Sequence, residues 1–183
     1  MAGAEQVTSG DLGAEFKRGS YAGTWTLDPS RSTVGLKTKA MWGVVPVKGT
    51  FSDLAGTAEV SSDGVVTGQV RIKSDSINTK MKKRDEHLRS DDFFSAATYP
   101  EILFDLDSAA PAAGTLAASG RLTVRDKSIP LTFPATVSAL ATGEVTLDAE
   151  VTVDRSQLGI DFKSKGATKM ENTLALHAVF TRG

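Results

Sequence analysis

The 183-residue sequence predicts an all-β fold: a single antiparallel up-and-down barrel of about eight strands, with one short helix over residues 79–90 closing an end. Three observations predict it. Apolar and polar residues alternate with period two over most of the chain after Thr24. Turn clusters such as SSDG, RDKS and ATGE punctuate that alternation. Alternation gives way to helical spacing at one place, KMKKRDEHLRSDDFF (80–94). Persistent alternation marks antiparallel sheet with one buried face and one wet face. A meander of this length hides its apolar face in a sandwich or by closing on itself, and long strands joined by tight turns favour closure.

The elements follow in order. WTLDPSRSTVGLKTK and VVPVKGTFSDLAGTAEV supply the first two or three strands. GQVRIKS puts Val70 and Ile72 on one face, and EILFDLD does so with Ile102, Phe104 and Leu106. GRLTVRD turns Leu122 and Val124 inward. SIPLTFPATV groups Ile129, Leu131, Phe133, Ala135 and Val137, and GEVTLDAEVTVDR groups Val145 with every second residue to Val153. NTLALHAVFTR sets Leu174, Leu176, Ala178 and Phe180 together, with His177 opposite as an ordinary strand residue. DSAAPAAGTLAASG (107–120) reads as beginning in a small-residue loop. RSQLGIDFKSKGATKMEN (155–172) reads as a connection too long for a hairpin, either a lid at the barrel mouth or a plain surface excursion. Residues 1–22, small and polar, read as a flexible tail, and residues 23–183 as the barrel domain.

Composition narrows the chemistry. The chain has no cysteine, which excludes disulfides, thiolate zinc sites, iron–sulfur clusters and a thiol nucleophile. With 21 basic against 22 acidic residues, it has no global field for capturing nucleic acid. No basic start precedes an apolar core at the N-terminus, so the expected location is cytoplasmic. No apolar run is long enough for stable membrane insertion as a helix. No cofactor is implied, and a homodimer is left open.

The 80–94 stretch admits several readings. Met81 and Leu88 lie at i and i+7 with Arg84 and Asp85 on the same side, and Asn78 or Thr79 can cap the helix. A catalytic reading makes His87 a base oriented by Asp85 or Glu86, with Ser90 or Ser95 as nucleophile. Neighbours at i+1 and i+2 do not face each other on a helix, and no G-x-S-x-G elbow is present. A metal reading has only His87 and His177 to draw on. Lys80, Lys82, Lys83 and Arg84 could meet an anionic headgroup, although a solvated helix face explains them as well. The favoured reading is architectural. Met81, Leu88, Phe93 and Phe94 seal one barrel end, and Arg84, Asp85, His87 and Leu88 lock the seal in place.

RDEHLRSDDFFSAATYPEILFD resembles the RD-x-HL-x-S-x-DFF…YP-x-I-x-F signature of the YceI-like family. WTLDPSRSTVGLKTKAMWGVVPVKGTFSDLAG is similar to that family's opening, GRLTVRDKSIPLTF to a middle segment and VTVDRSQLGI to its ending. The resemblance runs from about Gly23 to Arg182. Two positions depart from it: Arg31 and Ala40 stand where members often carry His. The resemblance implies a lipocalin-like barrel that binds polyisoprenoid or other amphiphilic lipid in its lumen. The expected lumen residues are Phe51, Val70, Ile72, Phe104, Leu122, Val124, Leu131, Phe133 and Leu176. Met41, Trp42 and Phe162 are expected at the mouth, and Phe93 and Phe94 at the sealed end. The expected role is non-catalytic binding of an isoprenoid or fatty-chain lipid. The alternatives are a filled, structural or stress-related barrel, and a weak hydrolase using His87 and Asp85.

Overall fold

The structure, a computed structural model, describes residues 18–40, 45–90, 94–112, 115–139, 143–154 and 171–183. Its strands are β1 (Gly23–Leu27), β2 (Thr33–Ala40), β3 (Val45–Phe51), β4 (Leu54–Val60), β5 (Val66–Lys73) and β6 (Ile77–Asn78). Helix α1 (Lys82–Arg89) follows. Then come β7 (Glu101–Ala112), β8 (Thr115–Val124), β9 (Lys127–Ala139), β10 (Val145–Asp154) and β11 (Glu171–Arg182). All pairings are antiparallel, and the sheet closes where β1 meets β11 through Trp25↔Arg182, Thr26↔Thr181 and Leu27↔Phe180.

Three of the staves are bent. β1 and β2 lie end to end along β11, β3 and β4 lie end to end across from them, and β5 runs on through a 3-10 turn into β6. Taken as staves, the strands form a closed eight-membered barrel in up-and-down order. The first bend is written in DPS. Pro29 opens a 3-10 turn whose N-cap Asp28 accepts from Ser30 N at 2.9 Å. Between the β1 and β2 registers, Ala178 and Val179 of β11 have no strand partner on that side, and the corner serves Val179. Its carbonyl accepts from Asp28 N, and its N–H donates to the buried Ser32 Oγ at 2.9 Å.

The region 107–120 departs from expectation. The small residues continue β7 to Ala112 and begin β8 at Thr115. A bulge between Leu106 and Ser108 inserts one extra residue in β7, which reverses its phase and turns Ala109 inward against Ala118. Inward-facing Gly120 permits the close approach of its neighbours, since a Cβ there would sit 2.9 Å from the Phe104 ring and 2.2 Å from Asp105 O. The helix is shorter than expected. It begins at Lys82 from an N-cap at Met81, which has extended backbone and is 54% exposed, so Met81 does not join the seal. Residues 18–22 form a turn that brings Tyr21 against Trp25, with ring centroids 6.1 Å apart. No helix among the described residues is long and apolar enough to cross a membrane.

Arg31 ties the first bend to β10. Its guanidinium grips Glu144 at 2.7 and 2.8 Å and Asp28 at 2.8 Å. Hydrogen bonds from Ser30 and Arg31 hold the Asp28 carboxyl below its usual range, and the Arg31 bond does the same for Glu144. The stability carried by lowered carboxylates is present above their unfolded pKa values and lost as pH falls through the folded ones. Arg31→Gln therefore lowers the melting temperature at neutral pH. The gap from wild type closes in acid once both carboxylates are protonated, and a gap independent of pH contradicts the tie.

Candidate functional site: the barrel lumen

Inward-facing residues pack into two clusters, one at each end. The cluster under α1 contains Phe51, Ile77, Leu88, Phe94, Ile102 and Val124. The far cluster contains Trp25, Val60, Val66, Leu116, Val137 and Val145. Between them the inward side chains of Val70, Phe104, Leu131, Phe133, Leu147 and Leu176 are only half-buried, because they face open space. That space consists of three adjoining chambers with cavity volumes of about 60, 70 and 70 Å³. Val70, Phe104, Phe133 and Leu176 are shared by the middle chamber and the one toward α1. Leu106, Leu147 and Phe180 are shared by the middle chamber and the far one. The chambers form a continuous run along the barrel.

The chambers are large enough to hold water but do not suit it. A buried water needs roughly two to four polar partners. The chamber toward α1 is walled entirely by apolar residues, and the middle one offers Thr57 and Gln69 only. Gln69 is already engaged, donating to Asp105 Oδ1 at 2.6 Å and accepting from Arg71 Nε at 2.7 Å. At the far end Trp25 Nε1 donates to Tyr21 O at 2.9 Å. A dry apolar void of this shape is complementary to hydrocarbon.

The floor of the lumen is the α1 region. Phe94 packs edge-on to Phe51 with centroids 5.6 Å apart, and both are buried along with Leu88. The lock centres on Asp85, which is 7% exposed. Its Oδ1 accepts from Thr79 N at 2.8 Å and from Thr79 Oγ1 at 2.6 Å. Arg84 clasps the same residue, with Nε donating to Thr79 Oγ1 and Nη2 to Thr79 O, both at 2.8 Å. Arg89 donates to Asp75 O and Ile77 O. The buried carboxylate is thus satisfied by backbone and hydroxyl donors. His87 is exposed and contributes its carbonyl, which accepts from Ser90 N at 3.1 Å. Asp85 is turned to Thr79. Lys80, Lys82 and Lys83 lie on the exposed side.

Of the residues named from sequence, Val70, Ile72, Phe104, Leu122, Leu131, Phe133 and Leu176 line the chambers. Phe51, Val124 and Phe94 point inward but are packed solid beneath them. Met41, Trp42, Phe93 and Phe162 lie outside the described residues. Sequence reasoning passed over Leu106, Leu147, Val151, Leu174 and Phe180 as lumen residues, although each shares the inward phase of its strand. It also missed Trp25, whose ring carries the Arg182 guanidinium 4.7 Å from its centroid at the far end. His177 lies on the wet face and bonds Asp148 at 2.6 Å. Among the described residues, no group of three or more metal-ligating side chains is placed to hold an ion.

Residues 25–181 match the YceI-like domain. The chain belongs to the YceI-like family. It is 34% identical over 89 residues to Protein YceI of Escherichia coli O157:H7, an alignment covering 48% of this chain and 47% of that protein. With Protein YceI of Salmonella newport it shares 34% over 92 residues, at the same coverage. The matched segment spans about half the length of these curated relatives. Among solved structures it is similar to Burkholderia cenocepacia BcnA, with a TM-score of 0.76 at 26% identity, covering 85% of this chain and 99% of that one. It also shares its fold with a polyisoprenoid binding domain from Saccharophagus degradans implicated in plant cell wall breakdown. There the TM-score is 0.70 at 14% identity, over 87% of this chain and 98% of that one.

Asp85→Ala leaves the buried Thr79 N–H without its acceptor, a cost of about 1–3 kcal/mol. A clear fall in melting temperature for Asp85→Ala, beside a near-wild-type value for the exposed Lys83→Ala, is the expected result. Equal effects of the two substitutions contradict the lock.

Proposed function

We propose that this YceI-like protein binds a single long-chain isoprenoid or similar amphiphilic lipid in its lumen, as a carrier, store or sequestering module, without catalysing a reaction on it. The observation that carries the reading is the continuous run of dry, apolar chambers between two packed ends. The Saccharophagus degradans domain, described as polyisoprenoid-binding, supports it through the shared fold. A buried methylene is worth roughly 0.8 kcal/mol. A chain of about fifteen therefore offers about 12 kcal/mol gross, against an association cost of about 4–15 kcal/mol. Hydrocarbon burial alone sustains useful affinity, and the headgroup is left to the rim.

The geometry around His87 favours binding over hydrolysis, since Asp85 is committed to Thr79 and His87 stands outside the lumen on the exposed face of α1. A barrel filled by its own side chains would leave no such chambers.

Val70 and Ala149 both line the chamber nearest α1. Val70→Trp and Ala149→Phe fill it from opposite walls. Excluding even two methylenes costs about 1.6 kcal/mol, or about tenfold in affinity. Titration with a fluorescent prenyl or fatty-acyl probe should show at least that loss in variants that keep the wild-type β-sheet spectrum. Unchanged affinity in a folded variant contradicts lumenal binding.

A further inference from the structure

Among the described residues, the hydrogen-bonded ladder of the closed barrel lapses between β9 and β10. β9 spans Lys127–Ala139 and β10 spans Val145–Asp154, yet among the described residues their register runs only from Ala139↔Val145 to Thr136↔Asp148. Beyond that rung, among the described residues, positions 127–135 of β9 pair with β8 and 149–154 of β10 pair with β11, with no pairing between them. The two strands face each other across an unpaired seam in the half of the barrel that α1 closes.

The sequence explains why the ladder stops. β8 and β9 are joined by the two residues Arg125 and Asp126, with Val124 opposite Lys127. In a two-residue hairpin the flanking pair is hydrogen-bonded, and bonding then alternates along the strand. Odd positions of β9 therefore bond β8, and even positions direct their backbone groups toward β10. Pro130 and Pro134 are both even. Thr136↔Asp148 is the last rung, and in the same register Pro134 would fall opposite Glu150. Pro134 has no N–H to give, so the ladder ends at that step, and Pro130 denies a donor again four residues on. The same prolines disfavour addition of a foreign strand to this edge, because a partner would meet the same missing donors.

Immediately inside the seam lies the chamber nearest α1. Leu131 and Phe133 line it from the β9 side, and Ala149 and Val151 from the β10 side. We propose that the unpaired seam between residues 127–135 and 149–154 is a side entrance through which an extended hydrocarbon chain passes into the lumen. The proposal rests on the lipid-binding reading. It assigns the route and leaves the occupant as already argued. With α1 packed across one end by Phe51, Phe94 and Leu88, a side entrance beside that floor reaches the innermost chamber without moving the lock.

The chain has no cysteine, so a pair can be introduced cleanly. Thr132 and Thr152 lie on the outer faces of β9 and β10, opposite each other in the continued register. Thr132→Cys with Thr152→Cys, joined by a short bis-maleimide and checked by mass, staples the seam from outside. Stopped-flow binding of a dansyl-labelled undecanoate is compared with that of the two single-cysteine variants capped by a mono-maleimide. The expected result is entry and exit both slowed on the order of tenfold, with equilibrium affinity preserved, since closing a route changes the barrier and not the end states. A second variant, Pro130→Thr with Pro134→Thr, restores two donors. It should slow entry likewise and gain amide protection in β9 and β10. Unchanged entry rates in both altered proteins overturn the entrance and leave the lipid reading standing. Failure of the probe to bind the capped single-cysteine proteins overturns the lipid reading and the entrance with it.

Discussion

The pairing of β1 with β11 decides what every other strand can do, because it turns a meander with one apolar face into a barrel with an inside. The contact is short, three rungs from Trp25↔Arg182 to Leu27↔Phe180, and it is reinforced from both directions. Gly183 N donates to Thr24 O, Thr26 Oγ1 donates to Gly183 O, and Arg182 lies over Trp25 while donating to Ser20 O. At the other end of the contact, the Asp28–Ser32 corner satisfies both backbone groups of Val179. Closure leaves the β9–β10 seam as a stretch of edge among the described residues, and period-two alternation becomes a division between lumen and solvent.

That division leaves a physical problem in the middle of the barrel. Both ends are packed to low exposure, whereas the central side chains cannot reach across to one another. The residues that would have to fill the gap are small at several inward positions, among them Ala58, Gly68, Gly120 and Ala149. Side chains beside a void lose dispersion contacts on one side, and a hydrocarbon occupant restores them. Binding to the folded state alone also stabilises it by mass action. On the lipid-binding reading proposed above, ligand capture and completion of the core are the same event.

Much of this was legible from residue order. The alternation in SIPLTFPATV, GEVTLDAEVTVDR and NTLALHAVFTR put the right residues inside, because one wet and one dry face gives strong contrast between neighbours. The contrast vanishes across 107–120, where Ala, Ser and Gly alternate with one another, and the bulge after Leu106 shifts the phase without any hydropathic mark. The α1 plug was recognisable from Leu88, Arg84 and Asp85, but its start was misplaced. Thr79 looks like a cap and instead receives Asp85 and Arg84 side chains from inside the helix. Phe51 and Val124 share the lumen phase, but phase cannot show that the barrel is packed solid at their level. The seam had a signal in plain sight, two prolines of one parity in β9, whose meaning depends on knowing which strand lies on each side.

The most direct test of a lipid-filled lumen is native mass spectrometry of freshly purified protein, followed by organic extraction of whatever accompanies it. A lumen built for hydrocarbon predicts a discrete apolar adduct, at most one per chain, released intact by solvent and regained when the stripped protein is incubated with prenyl or long-chain fatty lipids. A bare chain mass before and after such incubation would contradict it.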